Sequence, residues 1–310
     1  MKKLLLLLCA LFLGSLAFSQ YKLDYGVQIG AANYLGEIGG KEKTRRNFIM
    51  DLKLSSTRSA VGGFVRYKVH KDIMVRGSVG WYRISGADKF STNPGRVGRN
   101  LSFRNDIMEL SVTGQYVFYD VADLGRTYRY SNDFKAYVFT GAGLAYHNPR
   151  AEYNGSWVAL QPLHTEGQTN EALNRPYSRF IAVVPAGAGF YFTIKKKYRI
   201  GWEFNWRTTF SDYLDDVSTL YADSTLLESD MARDLANRND ELVYADNPNL
   251  PAPQNYYAGN KRGDAKHKDS YLTTTINVSM VIKGHSKFGK ARYNSFFGKK
   301  YKGRTIRAKF

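Results

Sequence analysis

From Tyr198 to Arg207 the chain alternates without a break. Tyr198, Ile200, Trp202, Phe204 and Trp206 occupy one phase, and Arg199, Gly201, Glu203, Asn205 and Arg207 the other. A period of two belongs to a β-strand, whose successive side chains point to opposite faces. One face of this strand is wholly apolar and rich in aromatics. Residues 108–118 repeat the pattern, with Met108, Leu110, Val112, Tyr116 and Phe118 set against Glu109, Ser111, Thr113 and Gln115. Residues 272–282 do so again, with Leu272, Ile276, Val278, Met280 and Ile282 against Thr273, Thr275, Asn277 and Ser279. Weaker segments compatible with strands lie at 22–34, 60–69, 73–84, 134–147 and 180–193. Glycine and alanine dominate the last two and leave their inner face unassigned.

The connections carry as much information as the strands. Only His70-Lys71-Asp72 separates the second segment from the third, and only Lys195-Lys196-Lys197 the sixth from the seventh. A medium link near 120–133 joins the fourth to the fifth, and the remaining links are long. Alternating short and long links with an even strand count is the signature of an outer-membrane barrel. The expected fold is therefore all-β, an eight-stranded antiparallel transmembrane barrel with long outer loops. A secreted β-sandwich is the competing arrangement, and it would have to pack its wide aromatics face to face. Trp81, Trp202 and Trp206, read as lying near strand ends, fit the aromatic girdle of a barrel instead. The mean hydropathy of −0.42 does not argue against the membrane, because only every second barrel residue meets lipid.

The first 19 residues read as a secretory leader: a basic start at Lys2 and Lys3, an apolar run from Leu4 to Leu16, and Ala17-Phe18-Ser19 before Gln20. That run is short of the ~20 residues a spanning helix needs. Cys9 is preceded by Leu8, where a lipoprotein signal would place a small residue, and it is the only cysteine in the chain. The mature chain is thus expected to lack disulfides, cysteine-based zinc sites and thiol chemistry. The organisation that follows is a signal peptide at 1–19, a barrel at 20–282 and a basic tail at 283–310.

With the apolar face turned outward, the lumen receives Gln28, Arg66, Arg76, Glu109, Gln115, Arg199, Glu203, Asn205, Arg207 and Asn277. Eight strands leave room only for side chains, so Arg66, Arg76, Glu109, Arg199, Glu203 and Arg207 are expected to form a paired charge network, since a lone buried charge is costly. A selective pore is the other reading of those residues. Catalytic patterns are poor. His70, His147, His164, His267 and His285 show no metal-ligand spacing, and no phosphate-binding loop or nucleophile elbow stands between a strand and a helix. No cofactor, metal or small-molecule substrate is expected. A barrel enzyme would need Ser, His and Asp groups of the loops to converge.

Charge then sharpens the picture. The total of +18 and a pI near 9.7 invite a nucleic-acid reading. The charge is segregated, however. Residues 211–250 carry ten acids and two bases, whereas 283–310 carry ten bases and no acid. Asp212, Asp215 and Asp216 admit a calcium site, although a full loop motif is missing; an exposed, solvated loop is the plainer expectation. In the tail Lys283, Lys287, Lys290, Arg292, Lys299, Lys300, Arg304 and Arg307 are interleaved with aromatics that include Phe296 and Phe297. Eight strands put both termini on the short-turn side, which faces the periplasm, where nucleic acid is scarce. Docking of the tail together with Lys195, Lys196 and Lys197 onto an acidic protein or membrane surface is the expectation; a tail that simply stays in solution is the alternative.

The opening strand and its exit, YGVQIGAANYLGEIGG at 25–40, the hairpin RYKVHKDIMVRGSVGWYRISGAD at 66–88 and FSDYLDDVST at 210–219 resemble the PorG-type outer-membrane barrels of Bacteroidota. The AFSQ end of the leader is similar to that phylum's exported proteins. The resemblance implies a non-enzymatic component of the type IX secretion system, seated in the outer membrane and associated with the periplasmic ring of PorK- and PorN-like proteins. In gliding species that system is linked to motility. The chain departs from the pattern in its long loops at 148–179 and 211–268 and in the tail after the last strand. The alternative function is a small OmpX-like surface barrel, an adhesin or ligand-binding protein acting through the acidic outer loops.

Overall fold

The computed structural model describes residues 20–39, 54–122, 133–168, 175–243 and 250–283. The leader at 1–19 and the tail beyond Lys283 lie outside the described residues, so the expectations placed on them stand as sequence readings.

Eight strands close into a ring: β1 (Gln20–Leu35), β2 (Arg58–Lys68), β3 (Ile73–Ala87), β4 (Ser102–Val121), β5 (Asp133–Tyr146), β8 (Phe180–Ile194), β9 (Tyr198–Thr209) and β10 (Ser270–Lys283). Each pairs antiparallel with its neighbours, β1 with β10 completes the circuit, and β6 (Pro149–Tyr153) with β7 (Ser156–Ala159) forms a hairpin hung on the outer end of β4. Closure removes every edge from the ring, which is what a sheet needs where no water can satisfy its backbone. Among the described residues no helix is long and apolar enough to cross a membrane.

The period-two reading maps directly onto the two faces. Along β4 the exterior carries Met108, Leu110, Val112, Tyr116 and Phe118, all exposed, while Glu109, Ser111, Thr113 and Gln115 are buried in the lumen. Asp106 and Asp120 bound that apolar run. From Met108 to Phe118 the strand covers about 33 Å, which a tilt of about 40° reduces to about 25 Å, the height of a barrel's apolar band. On β5 and β8, where glycine and alanine hid the phase, Tyr137, Phe139 and Tyr191 point inward and Val138, Leu144 and Phe192 outward.

Two expectations need correction. The strands expected at 73–84 and 108–118 are longer, because β3 and β4 stay paired up to Ala87 and Ser102. Above the apolar band the outward positions turn polar, as in the pair of Arg83 Nε with Asp106 Oδ1 at 2.7 Å. The hydropathy alternation therefore stops at the membrane edge while the hydrogen-bond ladder runs on. Trp81 stands directly beneath that pair, with the Arg83 guanidinium 5.1 Å from its ring, as an interfacial aromatic would. Trp202, read as a girdle residue, lies instead in the middle of the band between the outward-facing Ile200 and Phe204. Its indole N–H donates to Thr274 Oγ1 at 2.8 Å, which satisfies the one polar atom it brings into lipid.

The β6–β7 and β8–β9 hairpins are built differently. Between β6 and β7 the left-handed positions are Asn154 and Gly155, the preferred pair for a type I′ turn. Between β8 and β9 the same positions are filled by Lys195 (φ 51°) and Lys196 (φ 53°), closed by Lys197 N–H donating to Ile194 O at 3.0 Å. A bulky residue in that conformation costs of order 1 kcal/mol or more. Replacing them together, Lys195→Asn with Lys196→Gly, should raise unfolding stability by about 1 kcal/mol, read as a shift in the urea midpoint of the folded, detergent-embedded protein.

Candidate functional site

The lumen is occupied by one continuous polar chain. Tyr137 donates to Glu203, which is paired with Arg76, and Arg76 donates in turn to Gln28 Oε1. Gln28 Nε2 donates to Tyr82 Oη at 3.2 Å, and Arg207 Nη2 reaches the same hydroxyl at 2.8 Å. Arg207 Nε then meets Glu109 Oε2 at 2.7 Å, where Tyr271 Oη also donates at 2.6 Å. Towards the short-turn end a second cluster forms on Asp24. Its Oδ2 takes Arg66 Nη2 at 3.0 Å, Arg199 Nη1 at 2.9 Å and the Ser279 hydroxyl at 2.9 Å.

The structure thus brings Arg66, Arg76, Glu109, Arg199, Glu203 and Arg207 into two clusters. Sequence reasoning missed Asp24, although it shares the phase of Gln28 on the first strand and its charge among strand residues was a usable signal. The tyrosine hydroxyls that link the ions gave no signal, because a tyrosine reads equally well as core or girdle. Stripping one partner from such a pair leaves an uncompensated ion and typically costs 3–5 kcal/mol, whereas replacing both with apolar groups is often nearly neutral. Glu203→Gln should therefore lower unfolding stability by about 3–5 kcal/mol, and Glu203→Leu with Arg76→Met should recover most of that loss in urea titrations.

At the long-loop end the connections fold into a cap over the barrel mouth. Leu214 and Val217 are buried in an apolar cluster with Tyr34, Tyr82, Phe103 and Tyr271. Two buried arginines tie the cap together. Arg99 grips Asp88 through Nε (2.7 Å) and Nη2 (3.0 Å) and reaches Arg262 O with Nη1 at 2.7 Å. Arg262 Nη1 donates to Glu166 Oε1 at 3.0 Å and to Asp216 O at 2.6 Å. Asp88 and Arg99 lie before and within α1 (Pro94–Arg99), and α2 (Asp230–Ala236) joins the cap where Arg262 Nε donates to Ala236 O at 3.2 Å. Backbone donors complete the acids: Ser218 N–H to Glu166 at 2.8 Å, Val217 N–H to Asp215 at 3.1 Å and Leu214 N–H to Asp269 at 3.0 Å.

This overturns the expectation of an exposed, solvated loop for the first part of the acidic segment. Asp212, Asp215 and Asp216 are buried, because their segment turns down into the mouth, where Asp215 accepts from Ile38 N–H and Asp216 from the Tyr177 hydroxyl across the cap. Asp223, Glu228, Asp230, Asp234, Asp240 and Glu241 do face solvent. Among the described residues no group of three or more His, Cys, Asp or Glu side chains has the geometry to hold a metal ion.

Burial raises the acids of the cap. The Glu37 carboxyl is pushed up to about 8 by desolvation and then by the charge of Asp215. Asp212 rises to about 7 and Asp216 to about 7, both chiefly through desolvation, with Arg262 opposing the second. Asp215 and Asp269 are raised as well, chiefly by burial, and for Asp269 the like charge of Asp215 adds to the rise. A carboxyl that holds its proton more tightly when folded contributes stability that is present below the unfolded value near 4 and is lost as pH rises through the folded one. The cap should accordingly tighten between about pH 8 and pH 6. Hydrogen exchange at the amides of residues 214–219, corrected for intrinsic rates, should show greater protection at the lower pH.

The remaining predicted residues divide cleanly. Lys195, Lys196 and Lys197 are exposed at the short-turn end, on the opposite side of the lumen network from the cap. Lys283 closes β10 by backbone pairing with Gln20. Lys287, Lys290, Arg292, Phe296, Phe297, Lys299, Lys300, Arg304 and Arg307 lie outside the described residues.

The family described as a domain of unknown function, DUF6089, matches residues 2–244. No curated relative matches the chain. Among solved structures, the N-terminal β-barrel domain of Pseudomonas aeruginosa OprF shares 10% identity over 85% of this chain and 100% of its own, with a TM-score of 0.34. The Yersinia pestis attachment invasion locus protein Ail, solved with the heparin analogue sucrose octasulfate, shares 13% over 84% of this chain and 98% of its own, at 0.32. Pseudomonas aeruginosa OprG shares 7% over 85% and 95%, also at 0.32. TM-scores this low leave the closed strand pairing of the chain itself as the ground for its architecture.

Proposed function

The chain belongs to the DUF6089 family, and we propose that it is a non-enzymatic outer-membrane anchor of the type IX protein secretion machinery that docks a periplasmic ring of PorK- and PorN-like proteins. The observation that carries the scaffolding part is the filled lumen. A chain of ion pairs and hydroxyls from Tyr137 to Tyr271 crosses the interior, and the capped mouth lies above it. A barrel stiffened in this way is suited to holding its depth and orientation, not to passing cargo. The secretion-system part is supported by the sequence resemblance at 25–40, 66–88 and 210–219.

In this reading the apolar belt sets the depth in the membrane. The short turns and the basic tail then form the periplasmic docking face. The Lys195-Lys196 hairpin supports that assignment: charge is kept at two left-handed positions where the two-residue β6–β7 hairpin uses Asn154-Gly155. Observed backbone strain of this kind is a pointer to function.

The test is purification of the tagged protein from gently solubilised membranes, with identification of what accompanies it. Ring proteins should co-purify, and removal of residues 285–310 should reduce their recovery. Deletion of the gene should abolish export of cargo bearing the type IX C-terminal signal domain. Absence of ring proteins from the preparation would sink the proposal. Normal export with loss of surface binding would point to the surface-barrel alternative, acting through the exposed acids around Asp230 and Glu241.

A further inference from the structure

Among the described residues the short-turn end of the barrel is hollow. Below the Asp24 cluster a cavity of about 310 Å³ opens along the barrel axis. Its floor is mostly apolar, with Met74, Val117, Tyr191 and Val281 buried alongside Thr193. Its wall and rim carry Lys68, Lys71, Lys135, Lys196 and Arg199 against a single acid, Asp133. The inward-facing residues come from β2, β3, β4, β5, β8, β9 and β10, so the cup sits inside the ring of strands and not on its lipid face.

The charges of the cup are not balanced from within. Asp24 is shared by Arg66 and Arg199, so the network above the floor already ends on a cationic excess. Lys135 is paired with Asp120. Lys68, Lys71 and Lys196 make no ion pair among the described residues, although Asp72 and Asp120 lie within electrostatic reach of Lys68. Lys196 is also one of the two lysines held at a left-handed backbone position. Like charges gathered round a small apolar-floored concavity repel one another, and an anion entering it would relieve that repulsion where the surrounding protein weakens screening.

We propose that this cup is a receptor for an acidic peptide segment of a periplasmic partner, with one or two carboxylate side chains inserted among Lys68, Lys71 and Lys196 and an apolar neighbour resting on Met74 and Tyr191. The position decides among the anions available. A lipid headgroup belongs to the outside of the strand ring, and the cup opens inside it. The chain's own tail carries ten bases and no acid over 283–310, so charge excludes it as the occupant. The proposal rests on the reading of this end as a periplasmic docking face and names the chemistry that the partner must supply.

The experiment uses the full mature protein in nanodiscs of zwitterionic lipid and a fluorescein-labelled oligoglutamate peptide, with oligoglutamine as the neutral control. Fluorescence anisotropy should show binding of oligoglutamate alone, weakening as ionic strength rises from about 0.05 to about 0.5 M. The variant Lys68→Gln/Lys71→Gln/Lys196→Gln should bind roughly tenfold more weakly or not at all. Lys68→Arg/Lys71→Arg/Lys196→Arg should retain binding, and Lys261→Gln on the opposite, capped side should bind as the parent does. Heat-modifiable migration on gels checks that each variant is folded. Equal binding of oligoglutamate by the glutamine variant, or equal binding of oligoglutamine by the parent, would overturn the proposal.

Co-purification separates this proposal from the reading beneath it. Ring proteins recovered undiminished by the glutamine variant would remove the cup and leave the docking role. Peptide binding lost with that variant, in a protein that recovers no ring proteins, would leave the cup and remove the secretion-system assignment.

Discussion

Closure of eight strands into a ring is the constraint from which the rest of this molecule follows. A ring of that size has an interior just wide enough for side chains, and every inward position must be filled by something that tolerates its neighbours. This chain fills the interior with ions and hydroxyls. Once Arg76, Arg207, Glu109 and Glu203 face one another across so small a space, each needs a partner, because an unpaired charge there is far more costly than the pair is beneficial. The tyrosines at 82, 137 and 271 complete the set, each placing a hydroxyl on an ion from a ring that fills the space alongside. The barrel wall and its filling therefore stand or fall together.

The two ends of the barrel solve different problems. At the long-loop end the connections have enough length to build their own interior, and they do so with Arg99 and Arg262 laid between Asp88, Glu166 and Asp216. The acids taken down with residues 212–216 hold protons more readily than solvated carboxyls, which makes that end responsive to pH. At the short-turn end the described turns are tight, and among the described residues a basic cup stands open beneath the Asp24 cluster. Polarity across the ring is thus built into side-chain placement as well as into loop length.

Much of the wall was legible in the residues. At 198–207, 108–118 and 272–282 the alternation of aromatic and polar positions named both faces correctly, because lipid on one side and a polar lumen on the other impose opposite demands at every step of two. Where glycine and alanine occupy β5 and β8 the same argument had nothing to read, since small residues satisfy either face. The ends of β3 and β4 were missed for a related reason: beyond Trp81 and Met108 the exterior meets water, so pairing continues without a hydropathy signature.

By itself the sequence determined the number and order of the ring strands, the side on which short turns lie and the inward residues of the strongly alternating strands, because a period of two and a link length are local properties. Only the tertiary structure decided who pairs with whom. That Arg207 meets Glu109, that Asp24 serves both Arg66 and Arg199, and that an acidic run turns down into the mouth instead of dissolving in water depend on the stagger between strands far apart in the chain. The basic cup is of the same kind. Lys68, Lys71 and Lys135 are unremarkable in the sequence and converge with Lys196 only when the ring closes, since a concavity is a property of the circle and of no single strand.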